Sequence, residues 1–125
     1  MSKKVIHTNQ APAAIGPYSQ AIEANGFLYI SGQIPVEPAS GNVPEGITAQ
    51  TEQVLKNLGA ILKEAGYDYK HVIKTTCLLS DIQNFAPMNE VYGKYFSTEC
   101  PARAAFAVRD LPKGVLVEIE AIATK

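Results

Sequence analysis

The groups most able to do chemistry gather near the C-terminal end of the chain, where Arg103 is followed, fifteen and seventeen residues later, by Glu118 and Glu120. A guanidinium offers a planar fork that matches a carboxylate. A carboxylate set beside it can handle a proton or a water. In Val115 to Ala123 one alternate row is Val115, Val117, Ile119, Ala121 and Ala123, and the other is Leu116, Glu118, Glu120 and Ile122. Ala102 to Val108 alternates in the same way, with Ala104, Phe106 and Val108 in one row and Arg103, Ala105 and Ala107 in the other. Read as a hairpin closed by the Pro-Lys-Gly turn, opposed residues share a face and a constant index sum. If the two apolar rows share the core, that sum is odd, near 221 to 223 for a turn around Leu111 and Pro112. Arg103 is then expected opposite Glu118 or Glu120, on the sheet face away from the helices. Two readings follow: an exposed cross-strand ion pair, worth at most about 1 kcal/mol, or an anion site walled by small alanines and by Leu116 and Ile122.

The other reactive side chains point to no second centre. His7 and His71 are far apart in sequence, as are Cys77 and Cys100, and no pair has metal-ligand spacing. No metal and no cofactor is expected. Neither histidine has a nucleophile motif beside it, so Ser-His or Cys-His catalysis is unsupported. Both histidines read as surface or strand-edge residues, and Cys100 as a packing residue.

The elements that must position these groups can be read from periodicity. Phe27 to Ile30 is expected as a short buried strand ending at Ser31-Gly32. Val54, Leu55, Leu58, Ile61, Leu62 and Ala65 recur at helical spacing, which predicts a helix over Thr48 to Ala65, with Thr48 as N-cap and Gly66 as its stop. His71 to Leu79 reads as a strand, and Val91, Tyr92, Tyr95 and Phe96 mark a second helix over Met88 to Ser97. Two helices and a short mixed sheet make an α+β sandwich with both helices on one sheet face. The other face then needs a cover, which a second subunit would supply.

Composition bounds the rest. The 125 residues are one domain's worth, 1–125, enough for a core without staples. Eleven Lys plus Arg against twelve Asp plus Glu give a net charge of -1, a poor basis for attraction to nucleic acid or an anionic membrane. Apolar residues at 46% exclude disorder, and charged residues at 18% fall below the usual ~25%. That deficit points to surface buried against another chain. No apolar run reaches the ~20 residues of a membrane span, and no signal-length stretch follows MSKKVIHTNQ. The expectation is a cytoplasmic protein with both cysteines as thiols.

Several segments, APAAIGPYSQA, YISGQIPV, NEVYGKYF, CPARAA and VEIEAIA, resemble the Rid family of reactive-intermediate deaminases, also called YjgF-like or endoribonuclease L-PSP-like proteins. The resemblance runs from Asn9 to Ala123 and is closest to the RidA subgroup, the 2-iminobutanoate/2-iminopropanoate deaminases. It implies a chorismate-mutase-like sandwich and a homotrimer whose sheets form a central barrel, with clefts between subunits. It also implies hydrolysis of reactive 2-imino acids to 2-keto acids and ammonia. Carried over by motif, Arg103 binds the substrate carboxylate and Glu118 serves the catalytic water. Tyr18 lines the cleft, Ser31 and Gly32 give a polar wall, Asn89 lies nearby, and backbone N–H of Gly32 or Ala105 could hold the second carboxylate oxygen. Glu120 is expected to be structural, in an ion pair to a neighbouring chain. Ala105 departs from the pattern, because many relatives carry cysteine there; thiol-dependent behaviour is not carried over. Two other functions compete. A ribonuclease would show paired histidines, a metal cluster or a basic track. A 2-keto-acid sensor or chaperone-like trimer would use Arg103 without turnover.

Overall fold

The computed structural model describes residues 2–125. Its centre is one six-stranded mixed sheet. In chain order the elements are β1 (Lys4–Ile6), β2 (Ala21–Ala24), β3 (Phe27–Gln33), α1 (Ile47–Glu64), β4 (Val72–Leu79), α2 (Phe85–Tyr95), β5 (Ala102–Ala107) and β6 (Val117–Thr124). Across the sheet the order is β1-β2-β3-β6-β4-β5. Only the β4–β5 pair is parallel; all others are antiparallel.

The hairpin expected between the last two strands is not formed. β5 lies on the outer edge, with Thr75 beside Arg103 and Cys77 beside Ala105. β6 runs between β3 and β4, with Leu78 beside Glu118 and Thr76 beside Glu120. The reason lies in burial and connection. β6 fills its inner row completely with Val117, Ile119, Ala121 and Ala123, each at most 3% exposed. Such a strand stabilises the sheet most at its centre. β5 has no fully buried residue and suits an edge. The helix between β4 and β5 makes the crossover that parallel neighbours need. Two further strands, β1 and β2, complete the other edge; neither was marked by a clear alternation in the sequence.

α1 begins at Ile47, one residue before the expected start. Gly46, at φ 89°, takes the N-cap position in place of Thr48. Its buried face is Val54, Leu55, Leu58, Ile61 and Leu62, as the periodicity predicts. α2 starts three residues earlier than expected. Asp81 accepts from Gln83 N at 2.9 Å and sets a short 3₁₀ turn leading into it. Pro87 then falls in the first helical turn, where a missing N–H costs nothing. The core between helices and sheet joins Leu28, Ile30, Leu55, Leu58, Leu79, Met88, Val91 and Ile119.

The opposite sheet face is open. Val5, Tyr29 and Phe106 are 58%, 48% and 48% exposed on it. Among the described residues no helix is long and apolar enough to cross a membrane.

Candidate functional site

Arg103 sits on the helix side of β5, the reverse of the face expected from the hairpin. Its lateral neighbour is Thr75, which is fully buried under α2. The guanidinium lies over two rings of α2, 4.9 Å from the centroid of Tyr92 and 5.4 Å from that of Phe85. Its Nη1 donates to Asn89 Oδ1 at 2.7 Å. Phe85, Asn89 and Tyr92 follow i, i+4, i+7 spacing, so one helical face presents ring, amide and ring. Each ring contact is worth about 0.5–1 kcal/mol at an exposed site. Arg103 itself is exposed, and its remaining donors have no partner among the described residues. Because Asn89 gives its oxygen to the cation, its NH₂ stays free to donate. The result is a cluster of N–H donors with the geometry for a carboxylate.

Glu118 projects from the open face of β6. Its carboxylate lies directly against Gly32: a Cβ built there would overlap Oε2 and stand 2.9 Å from Cδ. Gly32 occupies the irregularity in the β3–β6 pairing between Ile30 and Gln33, so the strand continues past the expected end at Ser31-Gly32. Burial pushes the Glu118 carboxyl above the ordinary carboxylate range, and the charge of Glu120 adds to the rise. A carboxyl raised in this way is better suited to exchange a proton with substrate or water.

Of the remaining expected residues, Ala105 lies on the Arg103 face beside Cys77, while Tyr18 and Ser31 lie toward β3, away from Arg103. Tyr18, half exposed in the β1–β2 loop, shares with Gly32, Gln33, Ile34 and Lys113 the lining of a cavity of about 220 Å³. Ser31 Oγ donates to Ser19 O at 2.6 Å, and Ser31 N donates to Gln20 O at 2.9 Å. The serine thus pins the Tyr18 loop to β3. Glu120 and Ser31 face a second hollow with Tyr29 and Ile122. Glu120 is exposed and makes no ion pair among the described residues. The largest concavity, about 840 Å³, lies by α1 between Thr8, Lys56, Lys63 and Tyr67; it is an open groove and holds none of these residues.

One sheet thus carries two separate halves. Asn89, Ala105 and Arg103 belong to the β5–α2 side. Glu118, Gly32, Ser31 and Tyr18 belong to the open face and its rim. Arg103 and Glu118 project from opposite faces. They stand two strands apart, about 10 Å, and about another 10 Å along the strand direction.

Several residues that hold these halves carried no pattern in the sequence. Gln20 is buried, accepts from Thr8 N at 2.8 Å and donates to Thr8 O and Pro12 O at 3.0 and 2.8 Å, fixing the loop that carries Tyr18. Gln50 Oε1 accepts from Leu116 N at 2.8 Å, two residues before Glu118. Asn57 Nδ2 donates to Ile34 O and Val36 O at 3.1 and 3.0 Å, just past Gly32. A polar residue interrupting an apolar helix face, as Gln50 and Asn57 do in α1, was the available signal.

The two thiols differ: Cys77 is buried, whereas Cys100, expected as a packing residue, is exposed. Cys77, beside Ala105, is fully buried, and burial pushes it up to about 11 against the opposing pull of Arg103. Cys100 Sγ is turned to Phe96 O at 3.2 Å. His71 Nδ1 accepts Asp68 N at 2.9 Å and its ring stands edge-on to Tyr67. Among the described residues no three His, Cys, Asp or Glu side chains group as a metal site.

These features define an α+β protein with an exposed, ring-supported arginine on an edge strand and a carboxyl of raised pKa on the uncovered sheet face. The family model for endoribonuclease L-PSP matches residues 8–125. The chain belongs to this family and, within it, to the Rid proteins. It is 54% identical to the 2-iminobutanoate/2-iminopropanoate deaminase of Mus musculus, over 98% of this chain and 92% of that one. The Rid-family protein YyfA of Yersinia pestis superposes with a TM-score of 0.96 at 50% identity, covering 99% and 100% of the two chains. TdcF of E. coli with bound serine superposes with a TM-score of 0.95 at 41% identity, covering 98% of each.

Proposed function

We infer that the protein hydrolyses small 2-imino acids, of the 2-iminobutanoate and 2-iminopropanoate type, to 2-keto acids and ammonia. The observation that carries the reading is the Arg103 fork, held on one side by Asn89 and the two rings and open on the other. The high identity to the mouse deaminase supports the same chemistry.

Arg103 grips the substrate carboxylate and fixes the C=N carbon at one point. Much of the rate gain is then positional. Glu118, as carboxylate, takes a proton from the attacking water; as carboxylic acid it returns one to the departing nitrogen. A carboxyl whose pKa is raised serves both steps. Its negative charge also favours the protonated iminium, the better electrophile.

No single chain can present both groups to a molecule of a few atoms, given their separation. The reading therefore includes a homotrimer, its open sheet faces turned inward as a barrel in a chorismate-mutase-like arrangement. The Arg103 edge of one copy would meet the Glu118 and Tyr18 face of the next. The exposed Phe106, Tyr29 and Val5 support burial of this face. A cytoplasmic setting, where small imino acids arise from amino-acid breakdown, fits this activity.

The test generates an imino acid in place with an amino-acid oxidase and traps it with semicarbazide. The protein is expected to divert the imino acid before it is trapped. Unchanged trapping across several imino acids would overturn the enzyme and leave a keto-acid-binding module. The serine held by E. coli TdcF is the observation that favours this second reading.

A further inference from the structure

Arg103 is one of only two arginines in the chain, and it is exposed, yet its guanidinium is not free to swing. Tyr92 lies under it at 4.9 Å and is itself only 6% exposed. The Tyr92 hydroxyl meets Thr75 Oγ1 at 2.7 Å, and Thr75 is the fully buried lateral neighbour of Arg103 on β4. The chain of contacts closes on itself: the strand that aligns the Arg103 backbone also fixes the ring that carries its side chain. Phe85 supplies a second ring at 5.4 Å and Asn89 an acceptor at 2.7 Å. A ring against the guanidinium face leaves its edge, where the N–H groups lie, open to a ligand.

We propose that Tyr92, locked by Thr75, is a positioning residue that holds the Arg103 guanidinium ready for a carboxylate before any ligand arrives. The proposal deepens the imine-deaminase reading and rests on it. Arginine on a flexible stem loses rotamer freedom on binding an anion. Here that loss is taken in the folding of α2 against β5, and the binding step is spared it. The lock selects ligands whose carboxylate lies in the guanidinium plane, at the edge away from Asn89.

Three variants separate the parts. Tyr92→Leu removes ring and hydroxyl, Tyr92→Phe removes only the hydroxyl, and Phe85→Leu removes the other ring from a less buried place. The first readout is the dissociation constant for 2-ketobutyrate, a stable stand-in for the imino acid. It is expected to rise about tenfold for Tyr92→Leu and about threefold for each of the others. In turnover the rise falls on KM, with kcat for Tyr92→Phe within about twofold of the parent. The second readout does not depend on activity. In a protein labelled with nitrogen-15 arginine, the Nε–H signal of Arg103 should be displaced by the ring currents. That of Arg109, which is 96% exposed in its surface pair with Asp110, should not. The displacement should persist in Tyr92→Phe, shrink in Phe85→Leu and collapse in Tyr92→Leu. If Tyr92→Leu does not fold, the other two variants decide.

Lowered melting temperatures with unchanged ketobutyrate affinity would make Tyr92 a core residue only and overturn the proposal. So would an Arg103 signal indistinguishable from that of Arg109 in the parent protein. If the parent hydrolyses no imino acid, the enzyme reading fails, and the arginine signals still decide whether the lock exists.

Discussion

Arg103 and Glu118 stand on strands of one sheet, separated by β4 alone, and their surroundings are opposites. The arginine is exposed and its charge is supported, by two aromatic faces and an amide oxygen. The glutamate is half-buried and its charge is opposed, by loss of water and by Glu120. The first environment suits a group that must stay ionised and grip. The second suits a group that must change its protonation during a cycle. On one chain the fold keeps the two apart, and no ion pair joins them among the described residues.

The contrast can be broken at either end, and the largest effect is expected at the arginine. Arg103→Ala removes both the clamp and the charge, so kcat/KM should fall by about a thousandfold or more. Size-exclusion elution should be unchanged, because the side chain is exposed and the rings beneath it stay packed through α2. Next comes Glu118→Gln, with kcat lower by about a hundredfold while 2-ketobutyrate still binds. An equal loss of binding would make Glu118 a binding group only. The same variant carries a stability signature. A carboxyl whose folded pKa lies above its unfolded value binds more protons when folded, so stability is lost as pH rises from the ordinary carboxylate value through the raised one. Glu118→Gln should therefore melt higher than the parent at pH 7, with the gap closing near pH 4.

Gly32→Ala acts on the glutamate through the strand it lies against. The added Cβ overlaps Oε2, so the carboxylate must move. A shift of this size is expected to lower kcat about tenfold and leave keto-acid affinity near that of the parent. Parent-like kcat would show that the carboxylate position is not critical. The smallest effect belongs to Glu120→Gln. Removing its charge should let the Glu118 carboxyl fall, moving the acid limb of the pH–rate profile to lower pH. An unmoved limb would leave burial as the sole cause of the rise.

Local patterning in the sequence carried most of the elements. The i, i+3, i+4 stripe of α1 and the β-branched run of β4 placed both within one residue of their observed starts. The alternation of β6 named its buried row correctly, and with it the outward direction of Glu118 and Glu120. Pairing was another matter. A parity argument settles faces only after the partner strand is known, and β5 and β6 are adjacent in sequence without being adjacent in the sheet. The alternation puts Ala104, Phe106 and Val108 in an apolar row expected in the core; in the fold Phe106 is 48% exposed on the open face. Small alanines at Ala105 and Ala107 face the helix layer beside Cys77 and Leu79. Close packing at the sheet edge accepted small residues there, and no rule of hydrophobic size reveals that. The motif resemblance named Arg103, Glu118, Tyr18, Ser31, Gly32 and Asn89. It could not say that they divide into two groups on one chain, which follows only from the register.

The central claim is that each chain carries two half-sites and that a neighbouring copy completes them. Mixing tests it most directly. Arg103→Ala and Glu118→Gln proteins, each nearly inactive, would be unfolded together in equal amounts and reassembled. If Arg103 of one copy works with Glu118 of the next, random assembly gives about a quarter of the sites both intact groups, and about a quarter of the parent activity should return. If both groups act from the same chain, every site keeps one defect. Activity at the level of the separate variants, in an assembly shown to be mixed, would contradict the account.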